Sequence, residues 1–258
     1  MSNIAKAFEN KKAFIGFLTA GDPTFEASFE NIMALVKAGA DLIEIGIPFS
    51  DPIAEGPVIQ AANVRALSNG MTTDRAFELA ERVRRETDTP LCFMTYLNPV
   101  FRYGYDRFFG RCAEIGVGGL ICPDLPYEEK REAADIAEKY GVDVISLIAP
   151  TSEDRVKMIA SEAKGFIYIV SSMGVTGVRS EISTDLGAIM ASVRAATDVP
   201  AAIGFGISSP ETAAKMAGLS DGAIMGSALV RLVEEFGENA ADKIYGFAKQ
   251  IADAVHSV

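Results

Sequence analysis

The chain has 258 residues, 49% of them hydrophobic, a single histidine and a formal net charge of -11. That length is near the upper limit for one hydrophobic core, and the acidic balance argues against nucleic acid or an anionic membrane as a partner. The one histidine, His256, lies at a C-terminus expected to fray, which excludes serine–histidine, cysteine–histidine and multi-histidine metal chemistry and leaves carboxylates to move protons.

The opening MSNIAKAFENKK carries no apolar signal segment, and no run approaches the roughly 18 apolar residues that span a bilayer. Cys92, Cys112 and Cys122 have neither the even count nor the tight spacing of a disulfide framework or zinc site. A reducing cytoplasm is the expected setting.

In chain order, a short helix over Ile4–Asn10 precedes a first strand at Phe14–Thr19. A helix over Phe25–Ala38 ends at Gly39, and a second strand is read at Leu42–Gly46. Thr72 caps a helix running to about Thr87, followed by strands at Leu91–Tyr96 and Gly119–Cys122. A helix over Glu128–Tyr140 leads to a strand at Asp143–Ile148. Ser152 caps a helix over Glu153–Ala163, and a strand follows at Phe166–Val170. Helices at Asp185–Ala196 and Pro210–Ala217 alternate with strands at Pro200–Gly204 and Gly222–Met225, and Ala240–Val255 closes the chain. The strand runs are apolar on both faces, as buried parallel strands are. Eight such units with no linker predict one (β/α)8-barrel domain, a TIM barrel, over residues 1–258, with a short extra N-terminal helix. An open doubly wound sheet is the alternative, but T-A-G-D-P after the first strand is not its glycine fingerprint.

In such a barrel the chemistry sits where strands end. Glu44 interrupts an apolar second strand, and alternation sends it inward with Leu42 and Gly46 while Ile43, Ile45 and Ile47 face the helices. A carboxyl there is desolvated, so its pKa rises and it can both give and take a proton near neutrality. The loop after it carries Pro48, Pro52 and Pro57, and Glu55 is its natural second carboxylate. Tyr168 alternates inward with Phe166; its phenol either bonds a carboxylate or a substrate hydroxyl, or packs as core. The run S-S-M-G-V-T-G reads as a mobile lid. Gly206 after the seventh strand, and Gly226 and Ser227 at a short helix after the eighth, read as a phosphate site of backbone N–H groups.

The runs F-L-T-A-G-D-P, E-I-G-I-P-F-S-D-P-x-A-x-G-P-x-I-Q, S-x-x-G-V-T-G, G-F-G-I-S-S-P and G-S-A resemble the tryptophan synthase α subunit family, in order and over essentially the whole chain. The resemblance implies a carbon–carbon lyase, the retro-aldol cleavage of indole-3-glycerol phosphate to indole and glyceraldehyde 3-phosphate. It implies Glu44 as acid/base, Glu55 as second carboxylate and Tyr168 in the active site. Phe17 and Phe205 match walls of the indole pocket, Gly177, Gly206, Gly226 and Ser227 match phosphate contacts, and Thr176 matches a residue that positions the second carboxylate. It further implies a β subunit as partner in an α2β2 tetramer. Pyridoxal phosphate is expected in that partner and no cofactor in this chain. The partner surface is expected on the Pro52–Pro57 loop, the Asn98–Tyr103 segment and the lid; the alternative is that these aromatics pack locally. One departure stands out: the family motif A-D-G-P is A-E-G-P here, with Glu55 in place of aspartate. A misplacement of about 1 Å can cost on the order of 100-fold in rate, so the loop is expected to have adjusted. A catalytically weak barrel that serves mainly to activate its partner is the competing reading.

Overall fold

The computed structural model of the protein describes residues 3–170, 185–204 and 206–258. A short 3-10 helix at Ile4–Phe8 precedes β1 (Ala13–Thr19) and α1 (Phe25–Ala38). β2 (Leu42–Gly46) is followed by α2 (Pro57–Ser68) and α3 (Thr73–Glu86), then β3 (Leu91–Met94), α4 (Leu97–Tyr103), α5 (Tyr105–Ile115) and β4 (Val117–Ile121). Next come α6 (Arg131–Lys139), β5 (Asp143–Val144), β6 (Ser146–Ile148), α7 (Glu153–Ser161), β7 (Ile167–Val170) and α8 (Leu186–Ala196). The chain ends with β8 (Ala201–Gly204), α9 (Pro210–Leu219), β9 (Gly222–Met225), α10 (Ser227–Phe236) and α11 (Ala241–His256).

The strands form one parallel sheet in the order β5-β4-β3-β2-β1-β9-β8-β7-β6. β5 and β6 are halves of the one expected strand at Asp143–Ile148. The first half pairs with β4, the second with β7, and between them Ile145 donates its N–H to the Leu120 carbonyl at 2.9 Å. The run therefore hands the ladder from one neighbour to the other and brings the sheet's two ends together. This is the TIM-barrel arrangement, with eight expected strands present as nine segments because one bends at closure.

Alternation sorts the side chains as the pattern predicts. Ile15, Leu42, Cys92, Ile121, Phe166 and Ile224 fill the interior, while Phe14, Ile43, Ile45 and Phe93 meet the helices. Ile4 and Ala7 of the 3-10 helix join the interior cluster, so the N-terminal segment plugs the bottom of the barrel. Hydroxyl and carboxylate caps start the helices: Thr24, Thr72, Ser152 and Asp185 each accept a backbone N–H from the first turn, and Ser209 with Thr212 forms a reciprocal capping box ahead of Pro210.

Three helices were not expected. Pro57, read as stiffening a loop, is the first residue of α2, where its missing N–H costs nothing. α4 occupies the aromatic-rich segment read at Asn98–Tyr103, and α5 follows it. Val100 is buried and Tyr103 packs on Phe77 and Phe108, so much of this segment does pack locally, while Phe101 stays 61% exposed. At the C-terminus, expected to fray, His256 ends α11 and its ring Nε2 lies 2.7 Å from the Asp41 carboxylate, below the strands. All three cysteines are free and buried. Among the described residues, no helix is long and apolar enough to cross a membrane.

Candidate active site

Glu44 is the central charge of the barrel interior. It pairs in register with Phe17 on β1 and Cys92 on β3, so all three face inward at one level. Its side chain is fully buried, and neither carboxylate oxygen has a hydrogen-bond partner among the described residues. Burial pushes its pKa up to about 8, because no donor or cation compensates the lost hydration. Near neutrality the group is mostly protonated.

Glycines at the strand ends make room around it. A Cβ at Gly46, two residues beyond Glu44, would stand 2.7 Å from the Phe17 ring, and one at Gly204 would stand 2.5 Å from the Tyr168 hydroxyl. The two aromatic rings therefore lie over strand-end backbone. Tyr168 is inward and buried; burial, and then the charge of Glu44, push its phenol well above the ordinary value. Neither Gly46 nor Gly204 was singled out in the sequence, though an inward glycine across from an aromatic is the available signal.

The loop after β2 carries the second carboxylate back over the mouth. Glu55 is half-buried rather than solvated as a loop glutamate usually is. The Asn63 amide of α2 donates to its Oε2 at 2.6 Å, and the Gln60 amide donates to its backbone carbonyl at 2.7 Å. The preceding residue, Ala54, donates its N–H to the Tyr96 hydroxyl at 3.0 Å. Desolvation raises the Glu55 pKa to about 7, against the lowering pull of Asn63 and Tyr96. Asn63 and Tyr96 are site-shaping residues that the motif reading passed over; both are buried polar groups, one beyond the loop and one just past a strand end.

The residues expected to hold an anion lie at two late turns. Gly206 takes φ +76°, in the left-handed region glycine favours. Gly226 caps α10 without a side-chain hydrogen bond, and Ser227 opens that helix, so its first N–H groups point into the mouth end with the helix dipole behind them. Gly226 also touches the aromatic wall: a Cβ there would lie 3.3 Å from Phe17 Cδ1. Thr176, Gly177 and Phe205, and the segment read as a lid, lie outside the described residues.

A cleft of about 590 Å³ opens at Ile53 and Ala54, next to Glu55 in the chain. Met94, Leu147 and Val170 of the barrel interior, Ile53 and Ala54 of the Glu55 loop, and Cys122 line its inner part. Glu44 is not on its wall, consistent with complete burial. The largely apolar lining suits a flat apolar substrate, and Ala54 brings the loop of Glu55 to the cleft although the Glu55 side chain does not line it. Among the described residues, no group of His, Cys, Asp and Glu is placed to hold a metal ion.

The family described as "Tryptophan synthase alpha chain" matches residues 4–256. A tryptophan synthase alpha chain from Lacticaseibacillus casei is 53% identical over 255 residues, which cover 99% of this chain and 96% of that protein. One from Alkaliphilus metalliredigens is 50% identical over 225 residues, 87% of this chain and 85% of that protein. Among solved structures, Mycobacterium tuberculosis tryptophan synthase in space group F222 superposes with a TM-score of 0.90 at 34% identity, covering 99% of this chain and 98% of that one. A tryptophan synthase complex from Pyrococcus furiosus superposes with a TM-score of 0.85 at 33% identity, covering 94% and 99%.

Proposed function

Because the chain belongs to the tryptophan synthase alpha chain family, a lyase family that cleaves indole-3-glycerol phosphate in tryptophan biosynthesis, we propose that Glu44 is the acid and base of that cleavage and Glu55 its electrostatic partner. The observation that carries this is the buried, inward Glu44 carboxyl of β2, without a partner among the described residues. A pKa pushed up to about 8 starts Glu44 in the acid form.

The proton balance then closes on one residue. Glu44 gives its proton to C3 of the indole ring, which makes the ring an electron sink. The carboxylate so formed takes the proton of the glycerol hydroxyl. The C–C bond breaks, indole and glyceraldehyde 3-phosphate separate, and Glu44 is an acid again. While the ring is protonated its N–H carries positive charge, and an ionised Glu55 stabilises it. Phe17 forms a wall of the indole pocket, and Tyr168 borders Glu44. The N–H groups at Gly206, Gly226 and Ser227 receive the phosphate, and Gly177 matches a further phosphate contact of the family motif. Phe205 as second wall and Thr176 as a support for Glu55 complete this reading from the family motif.

The enzyme works with a β subunit, and the pyridoxal phosphate of the pair belongs to that subunit. The proposed contact face is the rim bearing Ile53, 75% exposed, and Phe101, in an α2β2 assembly. We propose further that the chain needs no cofactor of its own, that residues 1–258 act as one barrel domain, and that it works in the cytoplasm. Indole release from indole-3-glycerol phosphate, with and without a β subunit, tests the reading. No release under either condition overturns it; release only with the β subunit favours the partner-dependent form.

A further inference from the structure

Glu55 is longer by one methylene than the aspartate of the family motif, and the extra torsion has to be fixed if the carboxylate is to meet a ring N–H. Three hydrogen bonds hold this stretch of loop. Gln60 and Asn63 are three apart on α2 and so share a face. From that face Gln60 binds the Glu55 main chain and Asn63 binds its carboxylate, while Tyr96 holds Ala54 just before it. Asn63 is itself buried, so its amide has little freedom to turn away.

We propose that Asn63 is the positioning residue that lets a glutamate serve at this site, by clamping Oε2 of Glu55 and leaving Oε1 to face the ring nitrogen. This rests on the reading of Glu55 as the partner of the ring N–H. Glu55 and Asn63 are then a matched pair. Glu55→Asp restores the family spelling but shortens the reach toward Asn63, and it lowers turnover here instead of raising it. Asn63 also favours the ionised form of Glu55 against the burial that raises its pKa to about 7. Its N–H favours the carboxylate, as the Tyr96 phenol does. The other acids nearby are held elsewhere: Asp51 accepts from Ser50, and Asp124 from the Leu97 N–H.

The test is a double-mutant cycle on the full chain with its β subunit present, following kcat, KM and the pH profile of indole release. Asn63→Ala is expected to lower kcat by about tenfold, the scale of one hydrogen bond to a charged group. KM should change little, because Asn63 is not among the groups read as holding the phosphate, which are Gly206, Gly226 and Ser227. The acidic limb of kcat should move to higher pH, and further in Asn63→Asp, which keeps the shape but sets a second carboxyl against the first. In a Glu55→Ala background Asn63→Ala should cost nothing more. If both Asn63 variants keep the normal kcat and acidic limb while Glu55→Ala is inactive, Asn63 does not position Glu55 and only this proposal falls. An equal loss from Asn63→Ala with and without Glu55 overturns it as well. Full activity in Glu55→Ala removes the reading of Glu55, and this proposal with it.

Discussion

The ring of Phe17 lies directly over the backbone of Gly46, with no room between them for a methyl group: a Cβ at position 46 would stand 2.7 Å from both Cε2 and Cζ. Phe17 pairs in register with Glu44, so whatever moves the ring also disturbs the cover over the buried carboxyl. Gly46→Ala must displace the ring or the strand. Overpacking of this kind costs about 1–3 kcal/mol. The expected outcome is a lower urea midpoint together with a raised KM for indole-3-glycerol phosphate. Phe17→Leu in the same chain should recover part of the lost stability, because a smaller side chain relieves the overlap. No recovery would place the strain elsewhere.

Glu44→Gln separates chemistry from stability. The wild-type carboxyl has its folded pKa raised to about 8, from an ordinary 4.5. A raised acid pKa means the folded state holds the proton more tightly than the unfolded state. Its contribution is complete below about pH 4.5 and is lost as pH rises toward 8, with each pH unit worth roughly 1.4 kcal/mol within the window. The amide has no such titration. The variant should therefore match the wild type in stability near pH 4 and exceed it by a few kcal/mol at pH 9, while indole release disappears. Urea midpoints at pH 5, 7 and 9 measure the gap. A gap that does not widen with pH would mean that Glu44 ionises normally in the fold, and near-normal turnover would remove it from the chemistry.

How much of this was legible beforehand depends on the kind of signal. Glu44 was visible because one charge breaks an apolar alternation, and the same alternation placed Leu42, Tyr168 and Phe166 inward. Gly226 and Ser227 were singled out through the barrel's habit of binding anions at its last turns, and the helix start expected there is present as α10. The bend at Ile145 was not visible, because closure is a property of the whole sheet and leaves Asp143–Ile148 looking like any other run. α2 was hidden by Pro57, a residue that marks loops and helix starts alike. Asn63 and Tyr96 were missed because their work is done through Glu55 and Ala54, and a sequence does not reveal which polar groups meet across a loop.

Asp41 anchors the bottom of the barrel and offers a control for the mouth. Its N–H donates to the Phe14 carbonyl and its carboxylate accepts the Phe14 N–H, each at 2.8 Å. Lys11 and His256 bind the same carboxylate, which ties the end of α11 to the first two strands. His256→Ala leaves Asp41 two partners and should cost about 1 kcal/mol, whereas Asp41→Ala leaves a buried N–H unpaired and should cost roughly twice to three times as much. Because this end of the strands is opposite the mouth, KM and kcat should stay at wild-type values in His256→Ala. A fall in kcat with unchanged stability would show that the C-terminal helix communicates with the site.

Gly226→Asp tests the anion site and its coupling to the aromatic wall together. The new Cβ would sit 3.3 Å from Phe17 Cδ1, a contact the ring must yield to by a few tenths of an ångström. The new carboxylate would stand at the N-terminus of α10, where the helix dipole now favours a phosphate. Both effects oppose substrate, but they separate in the readout. Glycerol phosphate has no ring, so its loss of affinity measures the charge alone, and a loss of at least about tenfold is expected from a like charge in the anion site. Gly226→Ala has the Cβ without the charge. It should leave glycerol phosphate binding nearly unchanged and weaken an indole-bearing ligand by shifting Phe17. If Gly226→Asp binds glycerol phosphate as the wild type does, the phosphate is held elsewhere in the mouth and α10 is not its anchor.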